Sequence, residues 1–336
     1  MFRPLTYLRI VLVLFLCLTS AEIIARIAHW QPFRFQQKDA REPTMFKPDP
    51  VLGWAPKAGH HLSPAYTEGE DPIQYHFLDD GSRATSGNIH PSNYDIILVG
   101  DSFTQGWAVS DDETFGWKIQ THFSERSVGN FGRGSYGTYQ SLLLLRQLFD
   151  RELKPGLVIY GFNPFHEPRN AASPHWLKLL TSYSKRGMIG LPYCSLNRQG
   201  RLVEHPAIQW PTFAMQEYFA LPQLLIAAYF KLRNGIDDEL TYPKNVTRKL
   251  MLEMRDLTDA HGADLIVVIL SGDEPDVTDY SRYLREHDIE VIDARIQLTD
   301  EYRVSGDGHP NERAHSRWAD EIIKYIKAHN HVSKSN

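Results

Sequence analysis

The chain has 336 residues, of which 41 are acidic and 36 basic, and its formal net charge is −5. Hydrophobic residues make up 42% of the sequence, which is enough to close a sizeable core, excludes a disordered chain and predicts one large domain or two small ones. The mild acidity and the absence of a long Lys/Arg run argue against nucleic acid as a partner.

The N-terminal segment contains the parts of a secretory signal. Arg3 and Arg9 precede an apolar run over residues 10–18, and small residues follow at 19–21. The run is shorter than the roughly 20 residues of an ordinary membrane-spanning helix. We therefore expect an exported protein, periplasmic or at the cell surface, with residues 1–29 as its signal.

The sequence leaves open whether this signal is cleaved or retained. Thr19 and Ala21 form a mediocre cleavage site, and three isoleucines between residues 23 and 27 extend the apolar face beyond Glu22. A retained signal would anchor the chain in the membrane through residues 10–28. The alternative is a buried N-terminal helix, which the basic residues ahead of the run disfavour.

The two cysteines and the histidine spacing bear on metals and disulfides. Cys17 lies inside the apolar run and Cys194 is far along the chain, so no disulfide framework or cysteine-rich metal site can form. No HExxH pattern is present among the 15 histidines. We expect no bound metal.

Beyond the signal, the chain changes from irregular to alternating. Residues 30–93 are rich in Pro, Gly, His and Asp, which predicts a linker and a strapping segment, with an exposed strand at 74–78. Continuous apolar runs, typical of strands buried on both faces, then begin. They cover residues 96–99, 157–160, 265–270 and 291–292.

Helix-like stretches separate these runs. They cover residues 113–125, 139–152, 246–261, 278–287 and 311 to about 328. Alternating strands and helices favour a parallel sheet covered by helices on both faces, with ligand chemistry at the carboxyl ends of the strands. Residues 164–243 break the alternation, contain a helix-like piece at 221–232, and are interpreted as an inserted cap beside the site.

A candidate nucleophile follows the first apolar run. Residues 100–106 (GDSFTQG) place Ser102 just beyond a buried strand, with glycines that allow a tight turn. The lipase nucleophile elbow is excluded, since Gly-x-Ser-x-Gly requires glycine in place of Thr104. The alternative is a serine that only caps the next helix.

A candidate base precedes the last helix, in residues 307–311 (DGHPN). The general base of a serine mechanism is a histidine held by a carboxylate, and Asp307 is two residues from His309. The alternative is an ordinary Asp-Gly turn before a helix capped by Asn311.

A glycine-rich motif lies between them, at residues 130–137 (NFGRGSYG). Its G-x-G-x-x-G pattern suggests dinucleotide binding, which needs an acidic residue at the tip of the following strand. Tyr160 is instead followed by Gly161, Phe162 and Asn163. We therefore expect no nicotinamide cofactor.

Taken in order, these segments resemble the SGNH, or GDSL-like, hydrolase family. Residues 100–102 resemble its serine block, 130–137 its glycine block, 161–163 its asparagine block and 307–311 its histidine block. The resemblance covers roughly residues 94–330, apart from most of the insert at 164–243. It implies a three-layer α/β/α sandwich with a mainly parallel, flavodoxin-like sheet and no cofactor.

The resemblance also implies roles for individual residues. Ser102 would attack an ester carbonyl, His309 would transfer the proton, and Asp307 would orient His309. The oxyanion would be held by the N–H of Ser102, the side-chain amide of Asn163 and an N–H of the glycine block.

Two positions depart from the family pattern. The family's aspartate stands three residues before the histidine, a place that Gly306 occupies here, so the orienting role falls to Asp307 one residue later. In the glycine block, Ser135 stands where glycine is usual, with Gly134 as the neighbouring donor.

These residues predict a serine esterase that acts through an acyl-enzyme on an O-acyl group, with O-acetyl as the expected case. The substrate would be an acylated small molecule or a glycan of the cell envelope or extracellular space. Aromatic residues of the insert, such as Trp176, Trp210 and Tyr218, would stack on its sugar rings; the alternative is that they belong to the core. One alternative is a polysaccharide O-acetyltransferase with the same residues. A second is a non-catalytic glycan-binding or assembly factor, against which the presence of Ser102 and His309 argues.

Overall fold

The computed structural model describes residues 4–33, 45–87, 93–183, 189–234 and 241–329. Within them the helices are α1 Pro4–Ile27, α2 Ser102–Gln105, α3 Phe115–His122, α4 Thr138–Asp150, α5 Glu167–Asn170, α6 Pro174–Tyr183, α7 Leu221–Asn234, α8 Thr241–Ala260, α9 Glu274–Glu286 and α10 Glu312–Ala328. The strands are β1 Phe46–Asp49, β2 Gly53–Pro56, β3 Gly59–Ser63, β4 Ile73–Phe77, β5 Ile96–Gly100, β6 Val128–Asn130, β7 Leu157–Phe162, β8 Leu191–Leu196, β9 Leu202–Ile208, β10 Asp264–Ile269 and β11 Glu290–Asp293.

The central sheet has five strands in the order β11-β10-β7-β5-β6, and all four pairings are parallel. Numbered along the chain from β5, this is the flavodoxin-like order 2-1-3-4-5. The order reverses between β5 and β7, so a ligand site is expected at the carboxyl ends of these two strands. The predicted parallel α/β class is confirmed.

Two apolar cores lie on opposite faces of this sheet because successive strand residues point to opposite sides. Ile97 and Val99 pack with residues of α4, α8 and α9 in one core. Ile96 and Leu98 pack with residues of α3 and α10 in the other. The sheet is therefore the middle layer of an α/β/α sandwich, and its strands are apolar on both faces, as their sequences predicted.

The segment before β5 forms two antiparallel hairpins, β1 with β2 and β3 with β4. The strand predicted at 74–78 corresponds to β4, but it is exposed on one face only, since Ile73, Tyr75 and Phe77 are buried. Arg83 joins this segment to the edge of the sheet, where its N–H donates to the carbonyl of Asn130 on β6 at 2.7 Å. Strand β6 itself has three residues, too few for a run of apolar residues to reveal it in the sequence.

The segment between β7 and α8 contains α5, α6, the antiparallel hairpin β8–β9 and α7. The hairpin packs on α4, α5 and α8, and Glu204 on it accepts hydrogen bonds from Tyr139 at 3.1 Å and Arg146 at 2.6 Å. Trp176 and Trp210 are buried in the main core. These two aromatic residues therefore serve packing rather than an exposed sugar surface.

The N-terminal helix α1 is almost wholly exposed along its length. Its stretch Thr6–Ile27 has 22 residues and contains an 18-residue window with a mean hydropathy of 2.3. By length and composition this helix can cross a membrane, which is consistent with a signal sequence or an anchor.

Candidate active site

Ser102 is the first residue of α2 and follows the carboxyl end of β5. Asp101 precedes it in extended conformation and caps the helix, since its Oδ1 accepts the N–H of Phe103 at 3.0 Å. Only 7% of Ser102 is exposed. As the first helical residue, Ser102 also has a backbone N–H without an intrahelical acceptor.

His309 lies on a tight turn before α10. Gly306 and Gly308 both have positive φ, +81° and +90°, a conformation that glycine adopts without strain. They fold the turn so that Asp307 Oδ1 accepts the N–H of His309 at 3.1 Å and faces its Nδ1 at 2.5 Å. The carboxylate therefore holds the imidazole in place.

The two turns meet across the end of the sheet. His309 Nε2 lies 3.1 Å from Ser102 Oγ. When Nδ1 donates its proton to Asp307, Nε2 is the unprotonated nitrogen and accepts the hydroxyl of Ser102. The structure thus brings Ser102, His309 and Asp307 into the hydrogen-bonded chain that a serine, histidine and aspartate mechanism requires.

The ionisation of Asp307 suits this chain. Burial raises the pKa of its carboxyl. The interactions with His309 and a hydrogen bond from Tyr66 lower this pKa by more than burial raises it, so the net pKa lies below the ordinary value. Asp307 is therefore charged at neutral pH and stabilises an imidazolium when one forms. Tyr66 comes from the segment between β3 and β4.

The glycine-rich motif lies beside Ser102. Residues 132–136 are all within the described part of the chain, and four of their five backbone N–H groups donate to protein acceptors. Gly134 is one of the four, since its N–H donates to Gln105 Oε1 at 2.6 Å. Among the residues that the structure describes, none accepts the N–H of Ser135, whose φ is +69°.

Asn163 follows β7 and is fully buried. Its Oδ1 accepts the hydroxyl of Ser271 at 2.7 Å. Its Nδ2 lies 3.4 and 3.5 Å from the two carboxylate oxygens of Asp101. These contacts fix the orientation of the amide beside the turn that carries Ser102.

A buried polar cluster lies beneath the nucleophile. The Asp101 carboxylate, which is fully buried, receives Arg169 Nη1 at 3.3 Å, and His166 Nε2 lies 3.1 Å from the same oxygen. Arg169 also donates to the carbonyl of Tyr136 at 2.7 Å, and His166 Nδ1 lies 2.8 Å from the hydroxyl of Tyr160. The cluster thus ties the turn before α2 to α5.

The charges in this cluster balance. Burial raises the pKa of Asp101, but His166 and Arg169 lower it more, so it lies below its ordinary value. Burial lowers the pKa of His166, and the opposing effect of Asp101 does not restore it. At neutral pH the cluster therefore holds one carboxylate, one guanidinium and a neutral imidazole.

Arg83 fixes the loop that follows α2. Its buried guanidinium donates to the carboxylate of Asp111 at 2.6 Å and to four backbone carbonyls at 2.5–3.0 Å. These carbonyls belong to Gln74, Gln105, Gly106 and Val109. Since all of its donors are used, Arg83 clamps the nucleophile loop against β4.

Sequence reasoning missed several of these supporting residues. Asp101 lies inside the serine block, but nothing in the sequence indicated that it would contact His166 and Arg169. Arg83 and Tyr66 lie in a segment with no regular pattern. Among the residues that the structure describes, no group of three or more His, Cys, Asp or Glu is arranged to hold a metal ion.

Comparisons with known proteins add a fold likeness. Neither a family model nor a curated protein matches the sequence. One similar solved structure is a member of the lipolytic protein G-D-S-L family from Veillonella parvula, with 13% identity over 69% of this chain and 97% of that chain and a TM-score of 0.39. A second is the esterase EstA from Pseudoalteromonas, with 12% identity over 70% of this chain and 97% of that chain and a TM-score of 0.40. A third is the acetyl-xylooligosaccharide esterase Axe2 from Geobacillus, with 12% identity over 70% of this chain and 94% of that chain and a TM-score of 0.37. At this degree of similarity, function has to be inferred from the site itself.

Proposed function

We propose that the protein is a serine esterase that cleaves O-acyl esters through an acyl-enzyme. One observation carries the proposal: Ser102 Oγ lies 3.1 Å from His309 Nε2, and Nδ1 of the same imidazole faces the carboxylate of Asp307. A serine hydroxyl becomes a nucleophile when an oriented imidazole takes its proton.

The reaction proceeds in two halves. Ser102 Oγ bonds to the acyl carbon while His309 Nε2 takes the hydroxyl proton, and Asp307 stabilises the imidazolium. The tetrahedral intermediate collapses as the ester C–O bond breaks, and His309 returns the proton to the leaving alcohol. Water then attacks the acyl-enzyme by the same steps, which releases the carboxylic acid and restores Ser102.

Three donors are proposed for the oxyanion: the N–H of Ser102, the N–H of Ser135 and the side-chain amide of Asn163. The N–H of Ser135 is preferred to that of Gly134, because Gln105 already occupies the latter. Such donors act when negative charge develops on the carbonyl oxygen, and the loss of one typically lowers the rate about 10²- to 10³-fold.

The surroundings of the triad favour a short acyl group on a sugar. Ser102 is largely buried, which suits acetyl better than a long chain. The ring of Trp107 lies 6.2 Å from that of His309, and it is partly exposed. Aromatic rings beside a site provide stacking surfaces for sugar rings. We therefore propose O-acetyl groups on envelope or extracellular carbohydrate as the substrate, with the chain anchored in the membrane through residues 10–28.

Labelling with a serine-directed fluorophosphonate tests the nucleophile without a known substrate. We expect a single adduct on the peptide that contains Ser102, and its loss in Ser102→Ala and in His309→Ala. Ser135→Ala is the matched control, because it removes a neighbouring hydroxyl and leaves the backbone donor in place. An adduct that persists in Ser102→Ala overturns the assignment.

The fate of the acyl group separates an esterase from an O-acetyltransferase. The purified full chain in detergent is given an acetylated polysaccharide and a free acceptor glycan. We expect free acetate as the main product, because water at about 55 M competes with any acceptor that the site does not position. Transfer of the acetyl group to the acceptor, with little free acetate, would instead identify an O-acetyltransferase that forms the same acyl-enzyme.

A further inference from the structure

Helix α7 carries apolar residues on a buried face and on an adjoining exposed face. Ile226 and Phe230 are buried in the main core. On the exposed face, Leu225, Tyr229 and Leu232 form a stripe at helical spacing that is 49%, 47% and 85% exposed. A helix at the surface of a protein in water normally has a polar outer face. The stripe therefore calls for an apolar neighbour.

The loop that leads into α7 extends this surface. Phe213, Met215, Tyr218 and Phe219 are all exposed. Over the whole stretch of residues 211–230, Glu217 is the only charged residue. Clustered large apolar side chains of this kind mark an interaction surface.

The end of α1 is fastened to the start of α7. The carboxylate of Glu22 accepts the N–H groups of Ala220 at 2.9 Å and Leu221 at 2.8 Å, which are unpaired donors at a helix N-terminus. Arg26 pairs with Glu22 at 2.6 Å and donates to the carbonyl of Tyr218 at 2.8 Å. Both charges of α1 in this region are thus satisfied at the contact.

The apolar surface continues from α1 onto α7. Ile23, Ile24 and Ile27 are exposed on α1 beyond Glu22. They join the long apolar face of α1, which is the segment that can cross a membrane. When α1 crosses a membrane, the solvent around that face is lipid, and the same lipid surface would accommodate the apolar loop and stripe beside it.

We propose that the outer stripe of α7 and the loop at 213–219 rest in the bilayer that α1 crosses, as a second, interfacial membrane contact. Tyr218 and Tyr229 have the amphipathic rings that favour the interface, and exposed Lys231 in the last turn of α7 can reach lipid phosphate. The proposal rests on α1 being retained as an anchor, and it does not depend on the esterase chemistry. Its consequence is a catalytic domain held in a fixed orientation near the membrane surface.

Spin labels on single cysteines test this contact in the full chain, reconstituted in vesicles of phosphatidylcholine and phosphatidylglycerol. Native Cys17 on α1 reports insertion of the anchor. For the other sites Cys17→Ser removes it, and Cys194 is buried, with a thiol pKa that burial raises, so it stays unlabelled. Labels are placed at Leu225→Cys and Leu232→Cys, with Leu62→Cys on β3 as the exposed control.

Collisions with oxygen, which partitions into lipid, are compared with collisions with a water-soluble nickel chelate. We expect labels at Cys17, Leu225→Cys and Leu232→Cys to show a raised ratio of oxygen to nickel accessibility, and Leu62→Cys a low one. If the two α7 labels show the same low ratio as Leu62→Cys while the label at Cys17 keeps a raised ratio, the proposed interfacial contact is wrong and the anchor is supported.

Two further outcomes also decide the matter. Protection of the α7 labels from both oxygen and nickel means that protein, such as a second copy of this chain, covers the stripe, and this overturns the proposal. Nickel access to Cys17 overturns the anchor and the interfacial contact together. Fluorophosphonate labelling of Ser102 in the same samples reports on the proposed esterase site separately.

Discussion

The two turns that form the candidate triad are supported in different ways. Ser102 stands above a fully buried cluster in which Asp101 and Arg169, 68 positions apart in the chain, carry opposite charges. His309 stands on a glycine-rich turn where its partner Asp307 is two residues away, and 29% of its side chain is exposed. Ser102 depends on long-range buried contacts, whereas His309 depends mainly on local ones, to which Tyr66 adds a single distant hydrogen bond through Asp307.

This difference separates folding from catalysis. Removing one partner of a buried ion pair leaves an uncompensated charge in the core and destabilises a protein strongly. Removing the partly exposed imidazole of His309 leaves the Asp307 carboxylate with the backbone N–H of residue 309 and the hydrogen bond from Tyr66, so the loss of stability should be smaller. We therefore expect substitutions on the nucleophile side to lower both stability and activity, and those on the histidine side to lower mainly activity.

The largest effect on activity is expected for His309→Ala. Loss of the general base should lower kcat about 10⁴- to 10⁶-fold on a chromogenic acetate. The melting temperature should fall by only a few degrees, because the side chain is partly exposed and Asp307 keeps the backbone N–H of residue 309 and the hydrogen bond from Tyr66. His122→Ala, on the exposed end of α3, controls for the loss of a histidine, and a large fall in melting temperature for His309→Ala alone would refute the local support of this turn.

The nucleophile side is tested by Arg169→Met, which keeps the length of the side chain and removes its charge. Asp101 loses its buried guanidinium, so the free energy of unfolding should fall by about 3–5 kcal/mol. Activity should fall as well, because Asp101 without Arg169 is no longer held in the position from which it orients Asn163. Urea unfolding and the rate of fluorophosphonate labelling measure the two effects.

Arg146→Met is the matched control for that substitution. Arg146 pairs with Glu204 at 2.6 Å, but both side chains are partly exposed, so its loss should change stability by about 1 kcal/mol or less. Equal effects of the two substitutions would show that the buried cluster is no more important than a surface pair.

The parts of the molecule that sequence could predict are those with local signals. Continuous apolar runs revealed the long strands of the sheet, and short motifs at strand ends singled out Ser102, Asn163 and His309. Strand β6 escaped because three residues carry no periodicity. The contacts of Asp101 with His166 and Arg169 escaped because a buried ion pair leaves no trace in the spacing of its members.

The oxyanion donors should have an intermediate effect. Asn163→Ala removes a side-chain donor and should lower kcat about 10²- to 10³-fold with a smaller change in KM. Ser135→Gly keeps the backbone donor, and glycine adopts a φ of +69° readily, so activity should stay within a few-fold. If Ser135→Gly is as damaging as Asn163→Ala, the serine hydroxyl and not its N–H has the role.

The smallest expected effect is on the stability of the protein in acid. His315, on the helix that follows the histidine turn, is fully buried, and its Nδ1 accepts the N–H of Phe115 at 3.3 Å. Burial above all, with nearby positive charges, lowers its pKa from 6.5 to about 3. Between these values the unfolded chain binds a proton there that the folded chain does not, so stability falls as pH falls.

One such group changes the free energy of unfolding by about 1.4 kcal/mol per pH unit. His315→Gln, whose Oε1 can still accept the N–H of Phe115, should reduce the slope between pH 6.5 and 4.5 by about this amount, measured by urea unfolding at several pH values. His166, whose pKa is also lowered, should contribute to the slope that remains, so His166→Gln should reduce it further. Equal slopes for the parent, for His315→Gln and for the exposed control His122→Gln would mean that His315 takes up its proton in the folded state, and acid sensitivity would then belong to the nucleophile side alone.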